Sequence, residues 1–128
     1  MITSELKDRI LNDLINTGIN LEVNLHDAPA DYQIPLEYLS VILDQFQNLN
    51  FLHQEKMLGG HVYVYLTADA FDFMHKGGFT AKEAIEKAAL EKLSLELESL
   101  KKDFPEKTEF LSSVLANIAT VAGLFLPS

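Results

Sequence analysis

Phe51-Leu52-His53-Gln54-Glu55-Lys56-Met57, Leu58-Gly59-Gly60, His61-Val62-Tyr63-Val64-Tyr65-Leu66-Thr67 is the stretch on which the fold turns. Two short runs flank a Gly-Gly break, which is a hairpin signal. In the second run Val62, Val64 and Leu66 fall on one face and His61, Tyr63 and Tyr65 on the other, the two-residue period of a half-buried strand.

Upstream of the hairpin, Ile34, Tyr38, Val41-Ile42, Gln45-Phe46 and Leu49 recur at helical spacing, so a helix is expected from Ile34 to Asn50 with Pro35 in its first turn. Before it, His26 to Gln33 carries Asp27, Pro29 and Asp31 and has room for about two helical turns. Ile19 to Leu25 alternates apolar and polar strictly and predicts a strand that can join the hairpin as a third. Ser4 to Thr17 predicts a first helix, capped by Thr3 or Ser4 and ended by Gly18.

Downstream, Thr67 is placed to cap a helix from Ala68 to about Lys76, with Gly77-Gly78 as its stop. Thr80 followed by Glu83 has the spacing of a capping box and opens a long helix over 80–103, broken at Phe104-Pro105. Within it Leu90, Leu93, Leu97, Leu100 and Phe104 step by three and four, a short coiled-coil-like seam. Phe110 to Leu126 is then seventeen residues without a charge, in an apolar helix expected over 107–126. The expected class is α+β: a domain over 1–78 with a three-stranded antiparallel sheet, followed by a helical extension over 79–128 made of two helices.

This order resembles the winged-helix superfamily. The residues that carry the resemblance are Ile34 to Leu52 (helix running into strand), Gly59-Gly60 at the wing tip, and Leu66-Thr67-Ala68-Asp69-Ala70-Phe71-Asp72-Phe73-Met74. The last string is similar to the step that follows the wing in many members, with Ala70 where glycine is usual. The tail resembles that of small bacterial proteins in which a winged helix, a Gly-Gly-aromatic junction (here Gly77-Gly78-Phe79), a charged helix and an apolar helix follow one another, and the resemblance covers most of the chain. For the superfamily the resemblance implies DNA binding.

Charge argues against carrying that role over. The chain has 19 acids against 10 bases, a net charge of −9. From Met1 to Phe79 the bases are Lys7, Arg9, Lys56 and Lys76 against eleven acids, a balance of −7. Nucleic-acid affinity comes largely from Lys and Arg against phosphates. The helix in the recognition position, Ile34 to Asn50, has neither; its charges are Glu37 and Asp44. On a DNA-binding reading the contacts would fall to Gln45, Asn48, Lys56 and His61. The bland reading of the same helix is a packed element with an acidic solvated face.

Catalysis finds no footing. The chain lacks cysteine, a G-x-S-x-G elbow, a phosphate-cradling glycine loop and an H-E-x-x-H pair. His53 and His61 flank the hairpin turn, and with Glu55 they are the best metal candidate, but isolated strand histidines are far commoner than ligands. No cofactor and no metal is expected, and the chain is read as a non-enzyme. The N-terminus, Met1-Ile2-Thr3-Ser4-Glu5, lacks a signal peptide's basic and apolar regions, so a cytoplasmic location is expected.

The C-terminal apolar segment carries the main functional expectation. Leu111, Val114, Ile118, Val121 and Phe125 have heptad spacing, which points to self-association or to packing on the rest of the chain. Membrane insertion is the competing reading, because seventeen uncharged residues are near the lower length of a spanning helix, although Ser112, Ser113, Asn117 and Thr120 are among them. A tail attached loosely to the domain is the third. The expectation is a protein that acts through protein–protein contacts, a homo-oligomer with an unknown partner. Its C-terminal helices, through Leu90, Leu93, Leu97, Leu100 and the 111–125 series, would mediate oligomerisation or membrane-proximal attachment. A DNA-binding regulator is the alternative.

Overall fold

The structure, a computed structural model, describes residues 1–123. It is a mixed α+β chain in two compact units, Met1–Thr80 and Ala81–Ser128. In order the elements are α1 (Ser4–Thr17), β1 (Asn20–Asn24), α2 (Ala28–Tyr32), α3 (Leu36–Asn48), β2 (Leu52–Lys56), a turn of 3₁₀ helix (Leu58–Gly60) and β3 (His61–Leu66). Then come α4 (Ala68–His75), α5 (Gly78–Asp103), a second 3₁₀ turn (Pro105–Lys107) and α6 (Thr108–Gly123).

The sheet of the first unit is antiparallel with order β1-β3-β2. Val23 pairs with Val62 and Leu21 with Val64 on one side of β3, and Leu52 with Leu66 on the other. The alternation read from the sequence sets this register: a slip of one residue would turn Val62, Val64 and Leu66 out of the core. Gly59 and Gly60, at the hairpin tip, both have φ of +79°. A Cβ at Gly60 would strike the His26 imidazole, so the turn needs glycine for its conformation and for its space.

Helix α1 contributes Ile10, Leu11 and Leu14 to the core and α3 contributes Leu39, Ile42, Leu43 and Phe46, all at three- and four-residue spacing. Thr3 caps α1 by accepting from the Leu6 N–H at 3.1 Å. Residues 26–33 hold α2, a single five-residue turn with Pro29 buried beneath it, ended by Gln33 in the left-handed region. An aromatic cluster closes one end of the core: Phe79 lies 5.7 Å from Phe46 and 4.7 Å from Phe73, and Phe73 lies 4.7 Å from Phe51.

Two local expectations are corrected. The Thr67 hydroxyl does not cap α4; it donates to the Asn50 carbonyl at 2.6 Å, tying the end of β3 to the turn that follows α3. Thr80 is not an N-cap, because α5 already begins at Gly78. The carboxylate of Asp8, from α1, takes that role: it accepts from the N–H groups of Phe79 (2.6 Å) and Thr80 (3.0 Å) and from the Thr80 hydroxyl (2.5 Å). A cap supplied from 71 residues away leaves no local spacing to read. Phe79 and Thr80 belong to the first unit, where the Phe79 ring completes the aromatic cluster.

Candidate interaction surface

Helix α5 is 26 residues long, and its fully buried residues are Gly78 and Phe79 at its very start. From Ala81 onward the helix is covered on one stripe. Glu83, Lys87, Leu90, Ser94, Leu97 and Lys101, at steps of four and three, are half-buried. Successive residues advance about 100° around a helix, so these six form one line. Next to it lies a second stripe, roughly 100° wide, holding Ile85, Ala89, Leu93, Leu100 and Phe104, all exposed to solvent. Ile85 is 69% exposed and Phe104 48%.

The seam read from the sequence therefore divides. Leu90 and Leu97 belong to the half-buried line, while Leu93, Leu100 and Phe104 stand in the open one. Helix α6 divides likewise: Leu111 and Ile118 are buried apart from the main core, Val114 is half-buried, and Val121 is exposed. Phe125 lies outside the described residues. Seam spacing alone missed Ile85, although the Ile85-Ala89-Leu93 steps of four mark a second line. Where α5 turns into α6, Leu100, Phe104, Lys107, Phe110 and Leu111 line an open apolar pocket of about 550 Å³. Phe110, 66% exposed, lies outside the seam as well. Among the described residues no helix is long and apolar enough to cross a membrane.

A second region of interest is α3 with the β2-β3 hairpin. Gln45 is half-buried, and Asn48 and Lys56 are exposed. His61 lies with Nδ1 2.5 Å from Glu22 Oε1, so a carboxylate stands where a phosphate would have to approach. Asp44 accepts from Gln54 Nε2 at 3.0 Å, and Gln47 Oε1 accepts from the Gln54 backbone N–H at 2.9 Å. These side chains lace α3 to β2. Outward from α3 project Glu37, Tyr38, Val41 and Asp44, which offer no cation. His53 pairs across the sheet with Tyr65 and not with His61, whose own partner is Asn24, so the two histidines do not converge. Among the described residues no group of three or more His, Asp and Glu is placed to hold a metal ion.

A second cavity, about 300 Å³, opens between α1, β1 and α2, and Asp13, Glu22, Asp27 and Asp31 stand around it with no basic residue in its lining. At its edge the Tyr32 hydroxyl donates to Asp13 Oδ2 at 2.8 Å, and the Arg9 guanidinium stacks 5.0 Å from the Tyr32 ring. Burial first, and the Asp13 carboxylate second, hold the Tyr32 phenol above its ordinary range. On the sheet the exposed Tyr65 phenol is also raised, chiefly by the charge of Glu55.

No family model, curated protein or solved structure matches this chain. The functional reading therefore rests on the geometry.

Proposed function

We propose that this chain is a non-enzymatic, winged-helix-like protein that works through protein–protein contacts and self-associates through α5. The observation that carries it is the open apolar stripe Ile85-Ala89-Leu93-Leu100-Phe104, beside a line that the chain already covers. Helices in water owe most of their stability to packing an apolar face. A second such face, about five turns long and left in solvent, marks an interaction site rather than scattered surface residues. The helix order around a β1-β3-β2 sheet with a glycine-tipped hairpin supports the winged-helix reading. The acids on α3 and Glu22 beside His61 support protein over nucleic acid as the partner.

Light scattering tests the proposal on the full chain. The expected result is an oligomer that becomes a monomer in Leu93→Asp, with unchanged helical circular dichroism. A wild-type monomer at high micromolar concentration overturns it. On the DNA-binding alternative the wild-type chain would shift DNA fragments at low salt, and Lys56→Glu would weaken that shift.

A further inference from the structure

We infer that the α5 stripe docks on the same stripe of a second copy, with the two helices antiparallel. This rests on the self-association reading and adds its orientation and register. The stripe carries opposite charges at its ends. Lys82 lies on it near the start of α5, and Asp103 lies on it at the end. Lys92 and Glu96 sit along the same strip, and all four are exposed. The Lys82 ammonium already has Glu86 at 3.9 Å, a loose solvent-exposed pair that leaves it free to take a second carboxylate.

A two-fold axis midway between Lys92 and Leu93 sets each residue i against residue 185 − i of the other copy. Lys82 then meets Asp103 and Ile85 meets Leu100, each twice, while Leu93 lies against the Lys92 stem and Ala89 against that of Glu96. Charge meets opposite charge at both ends, and Ile85 packs on Leu100 just inside them. The parallel, in-register arrangement sets Lys82 against Lys82, Glu96 against Glu96 and Asp103 against Asp103. Like charges in contact penalise that pairing, and the aligned helix dipoles add to the penalty. An isologous antiparallel contact also closes on itself, which matches a single self-complementary patch.

The absence of cysteine from the chain makes the test clean. Full-length Lys82→Cys and Asp103→Cys chains, carrying different tags, are co-expressed, purified together and oxidised. A disulfide forms where the two Cα atoms come within about 7 Å. In the antiparallel pair position 82 faces 103 of the other copy, while the two 82 positions stand roughly 30 Å apart at 1.5 Å rise per residue. The expected product is the mixed cross-linked dimer, with little of either homodimer. Homodimers at least as abundant as the mixed product overturn the orientation and point to a parallel pair.

Charge reversal gives a second readout. Lys82→Glu or Asp103→Lys alone is expected to weaken the dimer about fivefold, since each removes two equivalent pairs, and the double variant to restore it. Unchanged association in both single variants overturns the register. Light scattering on the wild type separates the two claims: no oligomer at all removes the self-association reading and this one with it, whereas an oligomer with the wrong cross-links removes this one alone.

Discussion

Asp8 and Thr80 meet through two hydrogen bonds to one carboxylate oxygen, the hydroxyl at 2.5 Å and the N–H at 3.0 Å, while the other oxygen takes the Phe79 N–H at 2.6 Å. A residue of the first helix thus satisfies the free donors of the fifth. Asp8→Ala is expected to cost about 1–2 kcal/mol, the range of a lost N-cap, and Asp8→Asn less. Urea denaturation read by circular dichroism measures both. An Asp8→Ala chain as stable as the wild type would show that water replaces this cap without loss.

Gly60 and His26 share a space that holds one of them and a hydrogen. Gly60→Ala places a Cβ against the imidazole at a φ of +79° and is expected to cost about 1–3 kcal/mol. His26→Ala removes the collision but not the backbone strain. The double variant should therefore be more stable than the two single losses predict, a coupling that a double-mutant cycle in thermal unfolding detects.

The raised phenol of Tyr32 sets an alkaline limit on stability. The unfolded chain releases this proton near the ordinary value of 10.0, whereas the folded chain retains it to higher pH. Above that value the folded state holds more protons, so stability falls as pH rises; below it the contribution is complete. Tyr32→Phe should flatten part of the decline. Tyr65 is raised as well and leaves a residual slope. Phenolate absorbance on alkaline titration should lose its latest component in the variant.

Substitutions on the open stripe of α5 should leave the first unit untouched. Ile85→Ser and Leu100→Ser replace exposed side chains outside the first unit, so urea unfolding of the sheet and its helices should move by less than about 0.5 kcal/mol. Phe46→Ala, at a fully buried ring stacked on Phe79, should cost about 3–5 kcal/mol. Equal losses in the two sets would mean that the stripe is buried in the chain itself.

Much of this architecture was legible in the sequence because it is local. Periodicity placed α1, α3, β1 and β3, and the Gly59-Gly60 turn placed the hairpin. That β1 joins the hairpin was legible as well, but its pairing with β3 and not β2 required the fold. What spacing could not show was any choice made by a distant partner. Thr80 with Glu83 looks like a capping box until Asp8 arrives from 72 residues away. Thr67 looks like a cap until Asn50 offers its carbonyl. The seam on α5 read as one surface because heptad spacing cannot distinguish the line covered by the chain from the line left open. Leu90 and Leu93 differ by three positions and belong to different lines. The charges around α3 were legible, but the lacing of Asp44 and Gln47 to Gln54 required the fold.

Phe79 and its cap also impose an order in time. A chain emerging from the ribosome presents α1 first, but the aromatic cluster stays open until the seventy-ninth residue is available, and the Asp8 carboxylate waits just as long for its donors. Contacts of such sequence separation slow the final closure. Until then the nascent sheet and α3 show an unfilled aromatic socket, and the first turn of α5 is the piece that shuts it. The same turn begins the helix that carries the exposed stripe, so completion of the first unit and nucleation of that helix occur as one event.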